Sequence, residues 1–471
     1  MIKEIYTNYF VKILAFSINS IFPLLVIPYV ISVIGLNNFG KVEYGLSILS
    51  FFQVIGMLGV PIVGMREISK ESDEIKQVSV LFNIMKYVWI INTFVTLSYI
   101  ILISYFSESW NLSFDLSLSL VFILLANYVN VDWYFEAKKR FKFIAVKSVL
   151  TRGLQIILIY LLVKNNKDQN TYALLFSLAV FVGYLFSFLI FLYENYKYLN
   201  ELTKTTVFLV PLILVFVLQN SNLLYTQIDK IFISNSPSGP LGVAFYAIPQ
   251  KISVYINAVV YSLSFVAIPN FAKLLIEKKD DYWNLIKKIS MNLIFIGFFF
   301  GFVVLLFNKE ILNYFNITNL NNTNLILFVF MIRIPVIALE GFLNTQVFLL
   351  NNKEIILLRY YLIFGLVNVL VNFLLFDNLS PLTALVSTFI IEMLLLFCLI
   401  NYIKSKINTN FSLIINSPIK IIFLVISFLS VTFLLENYIN IFYKLASILI
   451  ILSLLVYLSF YSKKINNVQS N

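Results

Sequence analysis

The chain has no histidine, a single cysteine and few charged side chains. The absence of His excludes an imidazole base and the usual zinc sites, and Cys398 alone excludes an intramolecular disulfide or a cysteine cluster. Only 12% of the 471 residues are charged, against roughly a quarter in soluble domains. Because 60% of the residues are hydrophobic, we expect a chain that folds within a lipid bilayer. We also expect no metal and no cofactor.

Long apolar runs follow one another along the sequence, and a membrane-spanning helix needs about 20 such residues. The runs lack the alternation of barrel strands, so we predict an all-α integral membrane protein with about fourteen transmembrane helices. The first run is expected to be an uncleaved spanning helix. The predicted spans are 10–35, 42–64, 81–105, 114–136, 144–163, 171–193, 205–233, 243–272, 287–307, 323–350, 354–376, 380–403, 417–435 and 441–460.

Loops rich in Lys and Arg alternate along the chain with loops that contain few of them. With both termini cytoplasmic, 23 of the 34 Lys and Arg residues lie inside, 5 outside and 6 within spans, as the positive-inside rule requires. The net charge of +11 is therefore a property of membrane topology, and no nucleic-acid partner is expected. The loops are too short for a separate ATPase or catalytic domain.

An internal repeat relates the first span to the seventh. Gly40 and Tyr44 recur as Gly242 and Tyr246, and the offset of 202 residues is constant. Two parallel repeats with a site between them are common in secondary transporters. We predict two pseudo-symmetric six-helix lobes, residues 1–200 and 201–410, followed by two additional helices and a short tail in 411–471.

Several short motifs resemble those of the Wzx-type polysaccharide flippases, within the multidrug/oligosaccharidyl-lipid/polysaccharide exporter superfamily. Their order and spacing cover the whole chain, although each motif alone is weakly specific. The motifs are Ile27-Pro28-Tyr29, Phe39-Gly40, Gly64-Met65-Arg66-Glu67, Asp132-Trp133-Tyr134-Phe135-Glu136 followed by Lys138-Lys139-Arg140, and Gln227-Ile228-Asp229-Lys230.

This resemblance implies a MATE-like pair of lobes with alternating access in a bacterial inner membrane. It implies movement of undecaprenyl-diphosphate-linked oligosaccharide repeat units from the cytoplasmic to the outer leaflet, for O-antigen or capsule biosynthesis. A proton or sodium gradient would supply the energy. The implied partners are membrane lipids and the polysaccharide polymerase and glycosyltransferases of the same pathway.

Charged residues within the spans are the sharpest functional signal, because burying a charge in lipid is costly. A diphosphate head group needs cations that replace its hydration. Interhelical ion pairs are the alternative, for example Arg333 with Glu340 or Glu392. If each deep cation were held by a carboxylate away from the space between the lobes, only the family resemblance would support transport. The candidate substrate-binding residues are Arg333, Lys251, Lys230, Arg152 and Lys12, of which Lys12 lies near a helix end.

Without histidine, ion coupling must depend on carboxylates, and the candidates are Asp229, Glu340 and Glu392. Prolines inside spans remove a helical hydrogen bond and permit either a static bend or a hinge. The candidate hinges are Pro23, Pro28 and Pro249.

Two other functions remain open. A multidrug or cation antiporter of the same superfamily would need a cavity rich in carboxylates, whereas the deep charges here are mostly cationic. A membrane-embedded polymerase or glycosyltransferase would need a catalytic carboxylate or His, often in a large outer loop. We therefore predict a transporter rather than an enzyme.

Overall fold

The described part of the chain is helical and spans a membrane many times. The structure is a computed structural model that describes residues 24–107, 112–202, 212, 215–216, 223–265, 271, 274–275, 277, 279–317 and 320–407. By length and composition, nine helical segments within these ranges could cross a membrane. They are Leu36–Lys70, Glu74–Phe106, Phe141–Leu162, Gln169–Leu199, Gly239–Val260, Asp280–Leu306, Thr323–Leu349, Glu354–Leu374 and Pro381–Ile407.

The first half of the chain, residues 24–202, begins with two helices separated by Gly35. This glycine has a φ of 80°, a left-handed conformation that disfavours other residues. The fourth helix is capped by Asp73, whose side chain accepts a hydrogen bond from Ile75 N. The helices are α1 (Leu24–Ile34), α2 (Leu36–Met57), α3 (Val60–Lys70), α4 (Glu74–Phe106), α5 (Phe114–Leu120), α6 (Phe122–Asn127), α7 (Asp132–Ala137), α8 (Phe141–Leu162) and α9 (Gln169–Asn195).

The second half, residues 212–407, has a similar turn at Gly239, where φ is 59°. Its last long helix begins with a capping box in which Ser380 and Thr383 exchange hydrogen bonds with each other's backbone. The helices are α10 (Leu223–Thr226), α11 (Ile228–Asn235), α12 (Gly239–Phe265), α13 (Lys279–Leu306), α14 (Asn308–Tyr314), α15 (Leu320–Leu343), α16 (Glu354–Leu374) and α17 (Pro381–Tyr402).

The predicted spans one to twelve coincide with these helices wherever the structure describes them, in agreement with the predicted fold class. Span two is longer than predicted, since it runs from Leu36 to Lys70. Span four is divided into α5, α6 and α7. Spans 417–435 and 441–460, and most of 205–222, lie outside the described residues. The division into two lobes stays a prediction.

The two halves meet along α2 and α12, which pack against each other. A Cβ atom on Gly40 would lie 1.8 Å from the carbonyl oxygen of Pro240, so only glycine permits this approach. Beside it, Asn235 Nδ2 donates a hydrogen bond of 2.9 Å to Tyr44 Oη. This packing places the middle of α2 directly against charged residues of the second half.

Candidate functional site: charged clusters among the helices

Three charged side chains meet at the interface between the halves. Glu43 on α2 lies with its Oε1 3.1 Å from Lys251 Nζ and its Oε2 3.9 Å from Lys230 Nζ. Glu43 belongs to the first half, whereas Lys230 on α11 and Lys251 on α12 belong to the second. One carboxylate therefore faces two ammonium groups, which leaves this group with an excess positive charge.

Glu43 and Lys251 lie within helical segments that are long and apolar enough to cross a membrane, Leu36–Lys70 and Gly239–Val260. At 1.5 Å per residue, Glu43 lies roughly 12 Å along α2 from Gly35, and Lys251 roughly 18 Å along α12 from Gly239. The side chains of Glu43 and Lys230 are almost completely buried, while that of Lys251 is 23% exposed. Lys251 is thus the most accessible member of the triad.

Arg152 on α8 adds a further cation to this region. Its Nη1 donates a hydrogen bond of 2.8 Å to Gln155 Oε1, and its guanidinium lies 5.9 Å from the centre of the Phe176 ring. The charged groups of Lys251, Glu43 and Arg152 all lie near Tyr255, which is one turn beyond Lys251 on α12. Arg152 therefore lies close to the triad, on the side of the first half.

Arg333 on α15 forms a bidentate ion pair with Glu392 on α17. Its Nε and Nη2 each donate a hydrogen bond of 2.5 Å to one of the two carboxylate oxygens. Both side chains are buried. Of the two partners considered from the sequence, Glu392 pairs with Arg333, and Glu340 accepts a hydrogen bond from the Tyr361 hydroxyl. This pairing fixes α15 against α17.

Asp229 is a fully buried carboxylate held by neutral donors. Its Oδ2 accepts from Tyr246 at 2.6 Å and from Thr388 at 2.7 Å. Its Oδ1 accepts from Asn368 at 3.1 Å and from Asn372 at 2.8 Å. The donors lie on α12, α16 and α17, so Asp229 connects four helices of the second half. Hydrogen bonds of this kind are strong when the accepting carboxylate is ionised.

A second buried ion pair lies in the first half. Lys147 Nζ on α8 is 2.5 Å from Asp132 Oδ2 and 3.0 Å from Ser187 Oγ on α9, while Ser187 Oγ donates to Asp132 Oδ1 at 2.5 Å. The 23 basic residues that the sequence analysis assigned to the cytoplasmic side include Lys147. Its side chain is nevertheless buried, being only 4% exposed.

We expect Ser187→Ala to lower the free energy of unfolding by about 1.5–3 kcal/mol, because the hydroxyl binds a buried carboxylate. Thermal unfolding in nanodiscs measures the effect. Ser177→Ala is the matched control, since Ser177 is buried on the same helix and donates only to backbone carbonyls. Its expected cost is about 0.5–1.5 kcal/mol. Equal losses in the two variants would contradict a special role for the charged network.

The structure brings together Lys230 and Lys251 around Glu43, with Arg152 nearby, but it also pairs the cations that the sequence singled out. Lys230, Lys251 and Arg333 each have a carboxylate within 4 Å. The alternative of interhelical ion pairing is therefore correct for Arg333, whereas the two lysines share one carboxylate.

The remaining candidates are distributed differently. Pro28 lies within α1 and Pro249 within α12, and their action as hinges stays a prediction. Lys12 and Pro23 lie outside the described residues. Glu43 was not among the residues selected from the sequence, although it lies between the repeated residues Gly40 and Tyr44. A predicted span beginning at 42 made it an edge residue, whereas α2 begins at Leu36.

Comparison with known proteins places these features in context. A family model described as "Polysaccharide biosynthesis protein" matches residues 5–275. A protein of Escherichia coli (strain K12), whose name assigns it provisionally to O-antigen transport, is 22% identical over 290 residues. The match covers 61% of this chain and 70% of that protein.

Solved structures share the fold at low sequence identity. The lipid II flippase MurJ in an inward closed conformation has a TM-score of 0.65 at 15% identity, and the match covers 99% of this chain and 100% of that one. An inward-facing multidrug resistance MATE transporter has a TM-score of 0.56 at 14% identity, with 84% and 98% covered. These proteins are described as transporters or flippases and not as enzymes, in agreement with the sequence prediction.

Proposed function

The chain belongs to the family of polysaccharide biosynthesis proteins, and we propose that it is a flippase for lipid-linked oligosaccharides. It moves undecaprenyl-diphosphate-linked repeat units from the cytoplasmic to the outer leaflet of a bacterial inner membrane by alternating access. The product is a building block of O-antigen or a capsule. Both termini lie in the cytoplasm, and residues 1–200 and 201–410 form the two lobes that move relative to each other.

The observation that carries this proposal is the positive excess between the halves. Lys230 and Lys251 face a single carboxylate, Glu43, and Arg152 lies nearby on α8. A diphosphate carries several negative charges, and charge-assisted hydrogen bonds from Lys and Arg replace the water that it loses. An isoprenoid tail remains in the lipid while the head group occupies this region. The names of the E. coli relative and of the lipid II flippase support the same class of substrate.

Reconstitution into vesicles tests the proposal. A fluorescent undecaprenyl-diphosphate disaccharide is placed in both leaflets, and a membrane-impermeant reagent destroys the label in the outer leaflet. Protein-containing vesicles should lose nearly all of the fluorescence, whereas protein-free vesicles should lose about half. Equal losses would contradict the proposal. Transport of a cationic drug by the same vesicles would favour the antiporter, and extension of the sugar chain would favour a polymerase or glycosyltransferase.

We further propose that Asp229 couples transport to a proton or sodium gradient. Among the three carboxylates predicted for this role, Glu392 is neutralised by Arg333 and Glu340 is bound by Tyr361. Asp229 is held by neutral groups, and the side-chain oxygen of Asn372 beside it is buried without a hydrogen-bond partner. A cation or a proton at Asp229 would change how the surrounding helices are connected, and thereby which lobe arrangement is favoured.

Asp229→Asn should therefore leave a folded protein whose flipping rate no longer responds to an imposed ion gradient. The measurement compares initial rates in vesicles with and without inward gradients of protons and of sodium. Glu340→Gln is the matched control, because it removes a buried carboxylate elsewhere in the second half, and it should retain the response. A gradient response in Asp229→Asn equal to that of the wild type would contradict the assignment.

A further inference from the structure

Glu43 connects the two halves of the protein through charge. Across the boundary between the first and second halves, Glu43 forms ion pairs with Lys230 and Lys251. The same face of α2 carries Gly40, which touches Pro240, and Tyr44, which accepts a hydrogen bond from Asn235. Glu43 thus lies within the segment where the halves are packed most closely.

Charge also makes Glu43 a competitor of any anionic ligand. Its two oxygens occupy the lysine ammonium groups that a diphosphate would need, and its own negative charge repels that ligand. Glu43 and a diphosphate therefore cannot both be bound to Lys230 and Lys251 at full strength. The two effects are thermodynamically linked. A ligand that displaces Glu43 must weaken the contact between the halves by the same free energy by which that contact weakens binding of the ligand.

We propose that Glu43 is an internal counter-ion that holds the two lobes together until an anionic head group replaces it. In the absence of ligand, Glu43 neutralises one of the two buried lysines and closes the interface around Gly40. When a diphosphate binds, first through the partly exposed Lys251, Glu43 is released and the lobes separate at α2 and α12. The identity of the ligand in this inference rests on the proposed function, whereas the ion pairs are observed in the structure.

The opening is measured as a distance between spin labels. Asn37 on α2 and Leu241 on α12 are exposed residues at the ends of the two helices that pack together. The chain contains one cysteine, Cys398. With Cys398→Ala in the background, Asn37→Cys and Leu241→Cys supply the two cysteines that carry the spin labels. Pulsed electron paramagnetic resonance in nanodiscs then reports the distance distribution with and without farnesyl diphosphate.

In the wild-type background we expect a short distance that lengthens when farnesyl diphosphate is added. Glu43→Gln should give the long distance without ligand, because two unpaired buried ammonium groups repel each other and gain hydration when the interface opens. The same variant should bind farnesyl diphosphate several-fold more tightly, since its competitor is gone. Glu43→Asp, which keeps the charge, should behave like the wild type.

Tyr44→Phe is the matched control for loss of packing. It removes the neutral hydrogen bond from Asn235 between the same two halves but leaves the ion pairs intact, so it should change neither the distance nor the affinity. A short distance in ligand-free Glu43→Gln, or weaker binding by that variant, would overturn the proposal. The ligand-free comparison requires no substrate. The counter-ion role can therefore fail in this experiment while lipid flipping in vesicles succeeds, and it can succeed while flipping fails.

Discussion

Replacement of Lys251 and Arg152 by glutamine should reduce flipping of a lipid-linked disaccharide by about 100-fold or more. Each hydrogen bond to a charged group contributes about 1.5–3 kcal/mol, and 1.4 kcal/mol corresponds to a tenfold change. Both side chains are partly accessible. They belong to opposite halves of the proposed substrate site, so their removal should weaken the contacts of the ligand with both halves. Initial rates in the vesicle assay measure the effect.

A change of net charge alone has to be excluded as the cause. Lys164→Gln together with Lys167→Gln also removes two positive charges, but from the exposed loop between α8 and α9. This control variant should flip the lipid at the wild-type rate. Thermal unfolding of the double variant at Lys251 and Arg152 verifies that the protein is folded. If that folded variant transports the disaccharide within a fewfold of the wild-type rate, the two residues do not hold the head group.

Much of the fold could be predicted from the sequence, because a lipid environment leaves few alternatives. Apolar runs of sufficient length must be helices, since no water satisfies their backbone groups. The order of the predicted spans agrees with the described helices, and the kinship expected from motifs such as Phe39-Gly40 is confirmed by the family match. The breaks within span four were not predicted, because they occur inside apolar sequence at Val121 and from Tyr128 to Val131.

The site was less predictable because ion pairs depend on which helices are neighbours. Arg333 and Glu340 lie in the same predicted span, 323–350, yet the partner of Arg333 is Glu392, 59 residues away in the sequence. Glu43 and Lys147 were misjudged for a different reason. Both lie near predicted helix ends, and an error of a few residues in a boundary decides whether a charge is counted as snorkelling or as buried. Helix boundaries, more than helix identity, limited the prediction.

Loss of Arg333 should have the largest effect on stability. Arg333→Ala leaves the Glu392 carboxylate buried without its partner, and breaking a buried pair in this way costs about 3–5 kcal/mol. The loss of stability is measured by unfolding the protein in nanodiscs with heat or with denaturant. Replacing both charges by apolar residues of similar volume is often neutral, so Arg333→Met combined with Glu392→Leu should restore most of the stability. If the double variant is as unstable as Arg333→Ala, pairing with Glu392 is not what holds Arg333 in place.

The same double variant separates the two roles considered for Arg333. Arg333→Ala alone cannot do so, because an unstable protein and a protein that no longer holds its substrate both fail to transport. Once stability is restored, the remaining differences from the wild type are the missing guanidinium and the missing Glu392 carboxylate. A stable but inactive double variant supports the sequence-based hypothesis that Arg333 holds the diphosphate at some stage of the cycle, when Glu392 releases it. A stable and active double variant assigns Arg333 to the packing of α15 against α17, and leaves Lys230, Lys251 and Arg152 as the cations that hold the head group.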